Sequence, residues 1–397
     1  MRSFSRLRSP NSIIQRCKQD EATRARLKYD LWYRSFDREE GAYVWKDGRR
    51  YLMLSSNDYL GLSHDPRVIA AAQEATAKWG SSPTGARLAN GSRSFHRQFE
   101  EQLAEHLGTE DCIVVSAGYL ACMTAVSTFA RKGDLILVDR NVHSALWSGI
   151  TLSGAAVERF GHNDPADLQD IIVTEDRRRP KMVVLEGVYS MEGHIARLPE
   201  FGEVTRGHDC FFVLDDAHGL GVLGDRGQGT VGFLDCLPLV DVICGSLSKS
   251  LASTGGFIAG SKEVIEYLRT HSKQAIFSAA IAPSQVAAAA KALEILRTEP
   301  EHRDRLWENT RHFKRLLNRM EVDTWESESP AIPIIIGSKE RAYPVWRTLL
   351  KEGFFTVLAI APAVPPGKDL LRTAVSARHS FADLEAAAEA LERALRR

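Results

Sequence analysis

Phe211-Phe-Val-Leu-Asp-Asp-Ala-His218 sets four consecutive apolar residues directly before two acids and a histidine. An apolar run of that length, with no polar alternation, reads as a strand covered on both faces. Its polar tail then marks the carboxyl end of the strand, where open parallel sheets bind their ligands. The same grammar recurs along the chain. Cys112–Val115, Leu135–Val138, Ala156–Phe160, Met182–Leu185, Val240–Cys244 and Gly256–Ala259 are further short, mostly apolar runs interspersed with helical stretches. The pattern predicts an α/β protein with a mostly parallel, seven-stranded sheet flanked by helices.

Outward from this sheet, apolar residues recur at helical spacing over Ile69–Trp79 and Phe95–Leu107, on either side of the turn-rich segment Gly80–Gly91. Near Phe277–Gln285 the pattern changes. Helical periodicity from about Pro283 to Met320 predicts a long bridging helix. Beyond it, Ala331–Ile336, Thr356–Ala359 and Leu371–Val375 read as strands, and Tyr343–Glu352 and Phe381–Leu395 as helices. The expected division is an N-terminal arm or helix over 1–50, a large domain over 51–288 and a small α+β domain over 289–397.

The 397 residues carry 51 Lys+Arg against 51 Asp+Glu, with 44% hydrophobic and 26% charged residues. Such a composition excludes disordered, collagenous and coiled-coil chains. Zero formal net charge argues against a nucleic-acid partner. No apolar run approaches the ~18 residues of a membrane span. The cysteines at 17, 112, 122, 210, 236 and 244 include no Cys-x-x-Cys pair, so reduced thiols, a cytoplasmic location and no metal are expected. The first 32 residues hold eight Lys/Arg and three acids without the apolar core of a secretory signal. This basic arm reads either as a solvated helix or as a contact for an anionic ligand.

Five strand ends deliver chemistry to one rim: Ser116-Ala-Gly-Tyr119, Asp139-Arg-Asn-Val-His143, Glu186-Gly-Val-Tyr-Ser190, Asp215-Asp-Ala-His218 and Gly245-Ser-Leu-Ser-Lys-Ser250. Lys249 reads as a solvated lysine or, between apolar neighbours, as a desolvated amine able to form a Schiff base with an aldehyde. The hydroxyls of Ser246 and Ser248 suit a phosphate monoester. So do backbone amides at the start of a helix following Ser116-Ala-Gly-Tyr119. Asp215 is either a helix cap or a buried anion for a cationic ring nitrogen. His143 either makes a structural hydrogen bond or stacks on an aromatic cofactor. Other readings fail. The triphosphate-loop pattern and the Gly-x-Ser-x-Gly elbow are absent. Gly219-Leu-Gly-Val-Leu-Gly224 has dinucleotide spacing, but Asp-Ala-His separates it from its strand and a loop-forming segment follows.

Taken in order, Asn57-Asp-Tyr-Leu-Gly-Leu-Ser63, Ser116-Ala-Gly-Tyr119, His143, Glu186-Gly-Val-Tyr-Ser190, Asp215-Asp-Ala-His218 and Ser246-Leu-Ser-Lys249 resemble the α-oxoamine synthases. These are pyridoxal-phosphate enzymes of fold type I, and the resemblance runs from about residue 50 to the C-terminus. It implies a pyridoxal 5'-phosphate-dependent acyltransferase. The implied reaction is a decarboxylative Claisen-type condensation of Gly, Ala or Ser with an acyl thioester, on CoA or an acyl-carrier protein. An α-aminoketone, carbon dioxide and free thiol would be the products.

The same resemblance implies roles for individual residues. Lys249 carries the cofactor and moves the α-proton, and Asp215 pairs with the pyridinium nitrogen. His218 hydrogen-bonds the phenolic oxygen, and His143 stacks on the ring and polarises a carbonyl. The amides of Gly118 and Tyr119, with the Ser246 hydroxyl, hold the phosphate, while Glu186 and Ser190 line the site. Arg372 grips the amino-acid carboxylate, with Asn57 as a second substrate-binding residue. Ser278 reaches the phosphate of a partner subunit, implying a homodimer with its site at the subunit interface. Ala279 departs from the family's usual Thr. An aldolase, an aminotransferase or a non-catalytic partner subunit of the same fold are the alternatives, and the presence of Lys249, Asp215 and His143 speaks against the last.

Overall fold

Strands β1 (Arg38–Glu40), β2 (Tyr43–Lys46) and β3 (Arg49–Met53) pair antiparallel in succession at the start of the chain. They belong to a computed structural model that describes residues 13–26 and 33–396. The central sheet takes the next seven strands: β4 (Asp111–Val115), β5 (Leu135–Asp139), β6 (Ala156–Phe160), β7 (Lys181–Glu186), β8 (Cys210–Asp215), β9 (Val242–Ser246) and β10 (Gly256–Gly260). Their spatial order is β4-β10-β9-β8-β7-β5-β6. Every pairing is parallel except those of β10, which runs antiparallel to both β4 and β9.

Alternation of side chains across the sheet explains the unbroken apolar runs. Val183 and Leu185 of β7, with Phe212 and Leu214 of β8, enter one core. Met182, Val184 and Val213, one residue out of phase, enter a second core on the opposite face. Strand β6 departs from the expected burial. It is the sheet's edge, and of its five residues only Phe160 is fully buried.

The C-terminal part forms a second sheet in the order β11 (Ala331–Gly337), β14 (Asp369–Ala374), β13 (Val357–Ala359). Strand β12 (Phe354–Phe355) instead joins β3 in parallel. Ala42, Leu52 and Leu54 accordingly share a core with Ile332, Trp346 and Leu371. A helix spans Ile13–Arg26. The remainder of the basic arm before residue 33 lies outside the described residues.

The expected long bridge is two helices, Pro283–Thr298 and Glu301–Arg319. Pro300 divides them. Its ring lacks a donor and pushes the preceding Glu299 out of helical geometry, to φ −125 and ψ 81. No helix among the described residues is long and apolar enough to cross a membrane.

Register sets the rim. Glu186 lies opposite Asp215, and Asp215 opposite Cys244, so β7, β8 and β9 end at one level. Antiparallel β10 begins there, with Gly256 between Ser246 and Val115. A Cβ on Gly256 would stand 2.6 Å from the Ala117 carbonyl oxygen and 2.7 Å from Gly118 Cα. A Gly256→Ala variant is therefore expected to lose roughly 1–3 kcal/mol of stability through overpacking. Urea unfolding checks this, and an unchanged midpoint would contradict so tight an approach.

Candidate active site

The polar strand ends converge on a cavity of about 210 Å³ lined by Gly118, Tyr119, Cys122, His143, Glu186, Asp215, His218, Ser246 and Lys249, among others. Five different strands supply these side chains, and the loops after them are held individually. The buried carboxylate of Asp139, at the end of β5, accepts from Asn141 N at 2.8 Å, Asn163 N at 2.7 Å and Tyr189 Oη at 2.8 Å. These bonds tie the segments following β5, β6 and β7 together. His143 then starts the helix Ser144–Ser153, its Nδ1 accepting from Ala145 N at 3.2 Å. Its own amide donates to Glu186 Oε1 at 2.6 Å.

Lys249 is half-buried, its accessible side facing the cavity. Desolvation there brings its pKa down to about 8, although Asp215 and Glu186 pull the other way. Burial, reinforced by Asp215 and Glu192, pushes the Glu186 carboxyl well above the usual carboxylate range. Desolvation at the cavity mouth likewise lowers the His143 imidazole's affinity for protons.

Asp215 is almost fully buried. Its Oδ1 accepts from Ala217 N at 3.1 Å and its Oδ2 from the Cys122 thiol at 3.0 Å. The neighbouring Asp216 points elsewhere, to Thr230 N at 2.7 Å and Thr230 Oγ1 at 2.6 Å, and burial raises its pKa to about 7.

A relay crosses from the C-terminal sheet to the cavity. Arg372 donates from Nη1 to Asn57 Oδ1 at 2.7 Å, from Nη2 to Tyr59 Oη at 3.3 Å and from Nε to the Ser190 carbonyl at 3.1 Å. Tyr59 Oη lies 2.8 Å from His218 Nδ1. Tyr59 Oη accepts from Arg372 and, its pKa raised by burial, keeps a proton for which His218 Nδ1 is the acceptor at hand. Burial, with the nearby Lys249 and Arg372 charges, holds His218 well below its ordinary pKa. The ring is thus neutral, and the network assigns its proton to Nε2, leaving an N–H donor for the cavity.

The donor set fits pyridoxal phosphate. The helix Gly118–Ser127 has no side-chain cap at Ala117, so its first amides are open to an anion. A Cβ on Gly118 would stand 2.7 Å from Ser246 Oγ, so only glycine leaves room for a phosphate beside that hydroxyl. Ser246 Oγ also meets Ser248 Oγ at 2.6 Å.

Most of the residues singled out in the sequence thus share this cavity or border it through Arg372. Ser278 does not. It donates to the Gln274 carbonyl at 2.6 Å and lines a separate cavity of about 210 Å³ with Arg87, Leu88, Ser116 and Arg269. Ser190 acts on Arg372 through its main-chain carbonyl. Tyr59 and Cys122 were not anticipated. Tyr59 lay inside a quoted motif, whereas nothing local distinguishes Cys122 from a core residue of its helix. Metal-type spacing is absent from the sequence, yet the sulfur and oxygen atoms of Cys122, Asp215 and Cys244 lie within 4.8 Å of one another. A helix and two neighbouring strands bring them together.

Residues 49–391 match the family described as aminotransferase class I and II. A serine palmitoyltransferase of Sphingobacterium spiritivorum is 38% identical over 362 residues, 91% of each chain. An 8-amino-7-oxononanoate synthase of Thermoanaerobacter pseudethanolicus is 37% identical over 348 residues, 87% of this chain and 88% of that one. The solved structure of Sphingomonas wittichii serine palmitoyltransferase superposes with a TM-score of 0.94 at 33% identity, covering 97% of this chain and 98% of that one. By fold, motif order and kinship the chain belongs to the α-oxoamine synthases, the fold type I pyridoxal-phosphate-dependent acyltransferases that condense an amino acid with an acyl thioester and release carbon dioxide.

Proposed function

We propose that this protein condenses Gly, Ala or Ser with an acyl group carried on CoA or an acyl-carrier protein, releasing an α-aminoketone, carbon dioxide and free thiol. The observation that carries this reading is Lys249, a lysine with a pKa of about 8 in a cavity shared with Asp215, His218 and an open helix start. Bound pyridoxal phosphate supplies an electron sink for the pair left on the amino acid's α-carbon.

The chain's own groups do the rest. Gly118 and Tyr119 amides with Ser246 Oγ hold the phosphate, and Asp215 keeps the ring nitrogen protonated. His218 donates from Nε2 to the phenolic oxygen. Lys249, whose amine is freed of its proton as pH rises through about 8, takes the α-proton. His143 would cover one face of the ring, and Glu186 orients His143 by accepting its main-chain amide. Arg372, held on Asn57, Tyr59 and Ser190, grips the substrate carboxylate and releases it as carbon dioxide.

A homodimer with its site near the interface belongs to the same proposal. Phe277 is 84% exposed and Leu88 61%, beside the cavity that Ser278 lines. Six free cysteines, four of them buried, favour a cytoplasmic location.

Three outcomes test the proposal. Purified protein given Gly, Ala or Ser in turn should change its visible absorption with one of them and, on addition of an acyl thioester, release thiol and carbon dioxide in equal amounts. Lys249→Ala should abolish both, and Arg372→Gln should raise the amino acid needed roughly tenfold or more. Amino-group transfer to a keto acid without thiol release would establish an aminotransferase instead.

The second outcome concerns pH. Because the neutral amine is the nucleophile, uptake of pyridoxal phosphate by the cofactor-free protein should climb about tenfold per unit below pH 8 and level off above it. A rise continuing unbroken to pH 10 would contradict the lowered pKa. Third, sedimentation should give a dimer that Phe277→Asp dissociates, and a monomeric, active parent protein would overturn the interface.

A further inference from the structure

Cys122 has no part in the reading above, yet its thiol touches the group on which that reading turns. It occupies the second turn of the helix Gly118–Ser127, is 3% exposed, and borders the cavity. The Sγ–Oδ2 distance of 3.0 Å makes it the side-chain donor to Asp215, whose other oxygen accepts only a main-chain amide. Cys244, opposite Asp215 in the sheet, closes the cluster from β9. A thiolate here would face a buried carboxylate across 3.0 Å. The neighbouring Cys244 thiol, burial and the Asp215 charge all hold the Cys122 thiol well above its ordinary pKa, so Cys122 keeps its single proton, and the 3.0 Å contact directs it to Asp215.

We infer that Cys122 is a positioning residue, its thiol fixing the rotation of Asp215 so that the carboxylate presents itself squarely to the cofactor's ring nitrogen. The inference rests on the reading that Asp215 is the partner of that nitrogen. Without the donor, Oδ2 would be a buried carboxylate oxygen with no side-chain partner to fix its direction. With a thiol, the bond directs the oxygen while withdrawing less of its charge than a stronger donor would. A hydrophobic residue of similar size would fill the same space without directing the oxygen.

The test is a double-mutant cycle read on cofactor affinity in the cofactor-free protein, by absorbance titration with pyridoxal phosphate. Cys122→Ala should weaken binding roughly fivefold to tenfold, as expected for one hydrogen bond. Cys122→Ser, which keeps a donor, should restore most of that loss. In an Asp215→Ala background, Cys122→Ala should weaken binding no further. Thermal unfolding of each variant establishes that the comparison is between folded proteins. An equal loss in both backgrounds, or no recovery with serine, would overturn the inference and leave Cys122 a packing residue. If Asp215→Ala itself left affinity unchanged, the parent reading of Asp215 would fail instead, which separates the two outcomes.

Discussion

A lysine amine partly desolvated against acidic neighbours in a shared cavity is the constraint around which this protein is arranged. In bulk solvent Lys249 would be an ordinary ammonium. Inside the cavity, loss of hydration draws its pKa down toward 8, and Asp215 and Glu186 stop it falling further. Glu186 yields in turn, its carboxyl pushed well above the ordinary range by burial and by Asp215. The cluster therefore settles with fewer charges than its residue types suggest. A site of this kind holds a far larger fraction of free amine near pH 8 than a lysine on a solvated loop could.

That balance depends on the sheet. Glu186 and Asp215 are neighbours because β7 and β8 run parallel and in register, and Lys249 follows the adjacent β9 by a short turn. Antiparallel β10 then lets Gly256 meet Gly118 and Ala117 closely, bringing the open helix start within reach of Ser246. One rim thus collects an anion-binding end, an acid and an amine from strands far apart in sequence. The relay from Arg372 through Tyr59 to His218 fastens the C-terminal sheet onto the same rim and sets the tautomer of His218. The residues proposed to meet substrate and cofactor are thereby mechanically one unit.

Much of this was legible in the order of residues. Unbroken apolar runs such as Phe211–Leu214 declare strands buried on two faces, and the acids, histidines and lysine just past them declare the rim. Their motif order carried the family. The reason is local: strand burial and strand ends are properties of short segments. Features made by two distant segments were not legible in this way. The edge position of β6, the pairing of β3 with β12 and the break at Pro300 each altered an expectation drawn from periodicity alone.

The same division holds in the site. Residue types and spacing single out Lys249, Asp215, His218 and His143 as candidates for chemistry, because each stands within five residues of the end of an apolar run. Distances between them, the lowered pKa of Lys249, the donor role of His218 Nε2 and the contact of Cys122 with Asp215 depend on packing across the sheet. A cysteine inside an apolar helix is indistinguishable from core until the neighbouring strand presents a carboxylate to it. Desolvation and hydrogen-bond direction are properties of assembled surroundings, and no linear spacing encodes them.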